Sequence, residues 1–195
     1  MSADAAVEVR PALLADLPAA DAVEAAAFGD EGTVITDLLA ALRAAGRMVH
    51  ELVGADEAGR VRGHVGLSRG WVDARPSLVE VLVLSPLGVA PDAQGRGLGA
   101  ALVRAALARA EADGVPALFL EGDPGYYGRL GFERADTHGF ERPSVRVPDA
   151  AFQVVTLPGH ESWQRGRLVY ADPFWALDAV GLRDPFLAEV EEWLS

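Results

Sequence analysis

Residues 89–99 read Val89-Ala90-Pro91-Asp92-Ala93-Gln94-Gly95-Arg96-Gly97-Leu98-Gly99 and run straight into the alanine-rich stretch Ala100 to Ala112. An apolar strand ends, a short polar turn follows, and three glycines at alternate positions open a helix whose first N–H groups have no intrahelical partner. With no side chains in the way, those amides can converge on one small anion at the positive end of the helix. The stretch spells a phosphate cradle. A nucleoside-triphosphate loop needs Gly-x-x-x-x-Gly-Lys-Ser/Thr to reach the terminal phosphates and magnesium, and neither the lysine nor the hydroxyl residue stands here. ATP and GTP are therefore poor ligands for it.

Working outward, hydrophobic periodicity lays out the rest of the chain. Val7 to Arg10 alternates as a strand, and Leu14 to Phe28 reads as a helix. Thr33 to Ala45 is a second helix, with Val34, Leu38 and Leu42 four residues apart and Gly46 placed to end it. Met48 to Ala55 and Val61 to Val72 are β-type runs joined by a Gly-containing hairpin-like turn, and Leu78 to Leu84 is apolar enough to be buried on both faces. Gly97 to Asp113 is a helix stopped by Gly114-Val115-Pro116, and Ala117 to Leu120 is the strand after it. Asp123-Pro124 is a helix start, because Asp caps free N–H groups and Pro tolerates the first turn. The short helix that results carries Tyr126 and Tyr127. Phe132 to Ala135 and Phe152 to Leu157 are the last strand candidates.

With its order β, α, α, β, β, β, α, β, α, β, β and the pattern Gln-x-x-Gly-x-Gly at Gln94 to Gly99, the chain resembles the GNAT superfamily of N-acetyltransferases. A second block, Leu120-Glu121-Gly122-Asp123-Pro124-Gly125-Tyr126-Tyr127-Gly128-Arg129-Leu130-Gly131-Phe132, is similar to that superfamily's Tyr-x-x-x-Gly-Phe segment. Gly-Asp-Pro-x-Tyr-Tyr, with Ala151 to Val154 and Gly166 to Tyr170, looks like a bacterial branch of N-acetyltransferases. The resemblance implies an α/β fold, with a mixed sheet whose central parallel strands splay and helices on both faces. It covers residues 5–160, so a GNAT domain is expected over residues 1–160 and a C-terminal extension, residues 161–195, packing on the same domain.

The same resemblance implies acetyl-coenzyme A as co-substrate, held by Leu87, Gly88 and Val89 on the fourth strand and by Gln94, Gly95, Arg96, Gly97, Leu98, Gly99 and Ala100 in the cradle. Tyr127, four residues before Gly131, matches the tyrosine that protonates the departing thiolate. Its phenol, with a reference pKa near ~10 against roughly 8.5 for a thiol, carries a proton at neutral pH. Tyr126 is its neighbouring alternative, about 100° around the helix. Pro86 cannot donate to a ladder and Gly88 relaxes pairing, so the sheet opens at this point. A base is harder to find. Where some family members carry a glutamate on the fourth strand this chain has Val83, leaving Glu80, Asp73 and Glu121 nearby in sequence.

The expected reaction is direct acetyl transfer to a primary amine of a small molecule or peptide; the alternative is a non-catalytic acyl-coenzyme A sensor. Aminoacyl, polyamine, antibiotic and protein amines all remain open as acceptors, with Trp71 and Phe140 as candidate walls of the acceptor pocket. The formal charge of −12 disfavours polyphosphate backbones, so nucleic acid is not expected and an amine is. No cysteine is present and the four histidines have no ligand spacing, so no metal site is expected. No signal peptide and no membrane span are legible, which predicts a cytoplasmic protein. Gly95 to Ala100 also satisfies Gly-x-Gly-x-x-Ala, but Pro91 to Gln94 separates it from the strand a dinucleotide site requires. Gly66-Leu67-Ser68-Arg69-Gly70 fits a nucleophile elbow, yet it lies inside a β-type run. Asp184-Pro185 starts an amphipathic helix that docks on its own sheet or forms a homodimer contact.

Overall fold

The computed structural model of the chain describes residues 7–181, so the predicted helix after Asp184 lies outside the described residues. Eight strands form one sheet: β1 (Glu8–Pro11), β2 (Met48–Ala55), β3 (Val61–Ala74), β4 (Leu78–Val89), β5 (Ala117–Glu121), β6 (Glu133–Arg134), β7 (Phe152–Thr156) and β8 (Gly166–Tyr170). Their order is β1-β2-β3-β4-β5-β7-β6, and β8 pairs with the second half of β3. The β4–β5 pair is parallel, as expected; the other pairs are antiparallel.

The central strands carry apolar residues on both faces because each face is covered. Val81 and Val83 of β4 and Phe119 of β5 point to one side, where they meet Leu38 and Leu42 of α2 (Gly32–Ala44). Leu82, Leu84, Leu118 and Leu120 point to the other side, against Leu98, Leu102 and Ala106 of α3 (Leu98–Ala112). Strand period two and helix period near four thus interlock, and each fully buried Leu or Val contributes about 1.5–3 kcal/mol of hydrophobic stabilisation. α1 (Leu17–Phe28) packs beside α2 at close range. A Cβ on Gly32 would stand 2.4 Å from the carbonyl oxygen of Ala25, so the crossing itself requires glycine.

Several expected bounds shift for identifiable reasons. Residues Leu14–Asp16 form a 3-10 turn before α1, tied by the Asp16 carboxylate accepting from the Leu13 amide at 2.8 Å. β4 runs through Pro86 to Val89, because a bulge absorbs the proline. Leu67 pairs with Leu84 and Val65 with Leu87, leaving Ser85 and Pro86 opposite the single residue Gly66. β6 is two residues long, giving way at Ala135 to a 3-10 turn. β8 and the short α5 (Asp172–Ala176) carry too little periodicity to be read as elements from sequence.

Candidate active site

The bulge in β4 sets up the site. β4 and β5 pair only at Leu82–Leu118 and Val83–Phe119; beyond that β5 ends at Glu121, while β4 continues to Val89 with its β5-facing edge uncovered. Proline removes one ladder donor, and the extra bulge residue increases local twist, so the two strands part. A wedge opens between them.

A cavity of about 690 Å³ fills the wide end of this wedge, lined among others by Leu87, Val89, Gly97, Gly99, Arg104 and Tyr126. Gly97 caps α3 in the left-handed region (φ 84°) and Gly95 turns the loop before it (φ 73°); open space surrounds the Cβ position of each. The first helical amide bonded inside the chain is that of Ala101, donating to the Gly97 carbonyl at 3.0 Å. The amides of Leu98, Gly99 and Ala100 therefore form the open first turn of α3. Gly99 is glycine for space: a Cβ there would meet the Tyr126 hydroxyl at 2.7 Å.

The other expected cofactor residues divide in two. Gln94, Gly95, Leu98 and Ala100 line the cavity, but the Gln94 side chain folds back, its Nε2 donating to the Val89 carbonyl at 3.0 Å. Gln94 thus pins the loop to the strand end. Gly88 and Arg96 are not among the lining residues. Gly88 faces α1, so near Glu24 that a Cβ would fall 2.5 Å from Oε2. The cations that do line the groove are Arg104 and Arg129, which sequence reading missed. Both are exposed and neither pairs with a carboxylate among the described residues. Arg104 was findable, since it lies one helical turn beyond Ala100 on the same face.

Tyr127 and Tyr126 end up in different places. Asp123 caps α4 (Pro124–Tyr127), its carboxylate accepting from the Gly125 amide at 2.7 Å. Tyr126 leans over Gly99, and burial pushes its phenol above the ordinary value. Tyr127 is 8% exposed, packed edge-on to Phe132, and lines both the large groove and a second cavity of about 70 Å³ deeper in the wedge. Its ring also covers Gly122, where a Cβ would come within 2.3 Å of it. Phe28 and Leu87 line both cavities too, so the two spaces meet at Tyr127.

The three expected carboxylates also separate. Glu80 is half exposed and pairs with Arg69 at 3.0 Å, and Asp73 is exposed. Glu121 lines the deep cavity and accepts a hydrogen bond from the Tyr170 hydroxyl. Burial pushes its carboxyl up to about 7, while the Tyr170 bond and the charge of Arg146 pull it partly back. Trp71 lies beneath the Arg47 guanidinium at 5.4 Å, and Phe140 is core, edge-on to Phe119; neither lines the deep cavity.

Behind the bulge sits a buried charged chain absent from the sequence reading. His64 meets Glu24 through Nδ1 at 2.7 Å and Glu51 through Nε2 at 3.1 Å, and Arg43 bridges Glu51 at 2.6 Å and Asp21 at 2.8 Å. Desolvation lowers the His64 pKa, but the two carboxylates outweigh it and raise it to about 9. A histidine raised from 6.5 contributes stability that is fully present below the unfolded value and lost as pH rises through the folded one. The melting temperature should therefore fall between pH 6.5 and about 9. Thermal unfolding of the protein and of His64→Gln checks this; an equal slope in both would remove His64 as its source.

Comparisons with known proteins agree with this geometry. Residues 20–132 match the model of the acetyltransferase (GNAT) family. The chain is 32% identical over 148 residues to the Escherichia coli N-acetyltransferase YhbS, covering 75% of this chain and 84% of that protein. The crystal structure of YhbS in complex with CoA superposes with a TM-score of 0.78 at 26% identity, over 89% of this chain and 94% of that one. A GNAT family acetyltransferase from Brucella melitensis in complex with acetyl-CoA gives 0.70 at 27% identity, over 87% and 98%. A splayed parallel pair, a glycine-opened helix at its mouth and a matching family model over more than half its length leave one assignment: this chain belongs to the GNAT family of acetyltransferases.

Proposed function

We propose that the protein transfers an acetyl group from acetyl-coenzyme A to a primary amine by direct attack, with Tyr127 as the acid. The observation that carries this reading is the position of Tyr127, at the junction of a groove fit for a diphosphate and a deep cavity fit for an acceptor. The cradle suits the co-substrate because its amides are open, its glycines leave room, and two cations flank it in a chain of net charge −12.

When bound, acetyl-coenzyme A supplies an acyl carbon attached to a good leaving group. Leu98, Gly99 and Ala100 hold the diphosphate through main-chain amides, with Arg104 and Arg129 adding charge. Leu87 and Val89 offer the free edge of β4 to the pantetheine arm, and the Leu87 amide serves as donor to the carbonyl oxygen as negative charge grows there. Phe28, Leu87 and Tyr127 close round the reacting centre and exclude water. Tyr127 then gives its proton to sulfur as a general acid held beside the leaving group.

Direct attack needs no acyl-enzyme intermediate. The protein acts without nucleic acid or membrane, in the cytoplasm, as a domain over residues 1–160 with residues 161–195 as its extension. The test is release of coenzyme A thiol from acetyl-coenzyme A against a panel of primary amines. Amine-dependent release is expected; binding without release from any amine would instead mark an acyl-coenzyme A sensor.

A further inference from the structure

The deep cavity holds one polar group placed for chemistry that the acid does not perform. Phe28, Ile35, Val83, Phe174 and Ala179 form its apolar walls, Ser85, Tyr127 and Tyr170 add hydroxyl groups, and its carboxylate is Glu121. Val83 and Phe119 are register partners on adjacent strands. Side chains alternate along a strand, so Glu121, two residues past Phe119, projects to the same face as Val83 one pleat further into the wedge. β4 carries no carboxylate there, and β5 supplies one.

The carboxylate is held from several sides. The Tyr170 hydroxyl donates to it from β8, and Tyr170 is itself stacked on Phe174 at 4.8 Å. The strand end is fixed by the Gly122 amide donating to the Ala151 carbonyl at 3.0 Å and by Gln153 Nε2 donating to the Gly122 carbonyl at 2.9 Å. The titratable and charged groups facing Glu121 are Tyr170 of β8, Tyr127 of α4 and, at longer range, Arg146, whose guanidinium is bonded to Asp178 at 2.5 Å. Among the described residues no cation forms an ion pair with Glu121. A partly buried carboxylate lacking a cationic partner is costly, and an entering ammonium group supplies that partner.

We propose that Glu121 binds the acceptor ammonium and acts as its base, and that the acceptor is a primary amine on a slender, unbranched aliphatic arm. The proposal rests on the acetyl-transfer reading above and names the acceptor class of the same site. The cavity, about 70 Å³ with aromatic and aliphatic walls, admits a narrow alkyl ammonium head and excludes branching at the carbon that bears nitrogen. The step balances as follows. The ammonium gives one proton to the Glu121 carboxylate; the N–C bond forms as the C–S bond breaks. Sulfur takes the Tyr127 proton, and the second proton shed by nitrogen restores the phenol. Glu121 passes its proton to solvent, so ammonium and thioester yield amide, thiol and one proton. Burial places the Glu121 carboxyl near the working pH, where a base is most effective.

Glu121→Gln keeps the acceptor oxygen for Tyr170 and removes only the charge. With n-butylamine at neutral pH, kcat/KM is expected to fall about hundredfold and the acidic limb of its pH profile to disappear, with coenzyme A affinity unchanged. With 2,2,2-trifluoroethylamine, already unprotonated at that pH, the loss should shrink to about threefold. The wild type should prefer n-butylamine to its α-branched isomer by at least about tenfold. Equal losses with both amines would mark a merely structural carboxylate and overturn the proposal, as would indifference to branching. A second variant, Tyr170→Phe, removes the bond that lowers the Glu121 pKa and should move the acidic limb upward; an unmoved limb overturns it independently. If the wild type binds coenzyme A but acetylates no amine, the parent reading fails as well, and that case is told apart because the unaltered protein is inactive.

Discussion

Gly99→Val should weaken coenzyme A binding about hundredfold, close to 2.7 kcal/mol, while moving the melting temperature by only a few degrees. The position has ordinary helical geometry, so valine adds no backbone strain, and the helix-propensity cost of a β-branched residue in a first turn is under about 1 kcal/mol. What changes is space. A Cβ at residue 99 would stand 2.7 Å from the Tyr126 hydroxyl, and Tyr126 is a wall of the groove, so its ring must swing into the volume the co-substrate needs. The added methyls also shield the amides of Gly99 and Ala100. Calorimetric titration with coenzyme A and a thermal melt of the same sample separate the two effects. Unchanged affinity would place the diphosphate elsewhere.

The reason this site could be read so early lies in how local its signals are. A glycine-opened helix start is written into seven adjacent residues, Gln94 to Ala100, with Gly95 and Gly97 in the left-handed region. Asp123-Pro124 starts α4 for an equally local reason. The central strands were legible because both faces are buried, which leaves an unbroken apolar run such as Val81 to Leu84. What could not be read were features that exist only in tertiary contact. Glu24, His64 and Glu51 lie on α1, β3 and β2, and nothing in their local sequence marks them as partners. Glu121 was one carboxylate among three until β8 brought Tyr170 to it from 49 residues away. Gln94 lines the cavity as its place in the motif suggested, but its bond to the Val89 carbonyl could not be read from sequence.

Tyr127→Phe is expected to lower kcat at least tenfold, with coenzyme A affinity nearly unchanged. General acid assistance from a positioned side chain typically contributes about a hundredfold or more, and removing one hydroxyl keeps the ring's contacts with Tyr126, Phe132 and Gly122. An interaction made only as the C–S bond breaks lowers kcat and kcat/KM together. Tyr126→Phe serves as the control, because that hydroxyl sits over Gly99 and away from the deep cavity. It should alter binding more than turnover. If Tyr127→Phe retains full kcat, the phenol is a wall of the wedge and the proton reaches sulfur by another route; if Tyr126→Phe carries the loss instead, the two tyrosines exchange roles.

The proposed function depends on the main-chain amides at the start of α3 gripping a diphosphate. Calorimetric titration of the folded wild-type protein with coenzyme A, and in parallel with pantetheine, which has the arm but no diphosphate, tests that grip most directly. Saturable heat with coenzyme A, and binding of pantetheine weaker by at least about tenfold, is the expected result. No heat with coenzyme A, or equal affinity for the two, would contradict it.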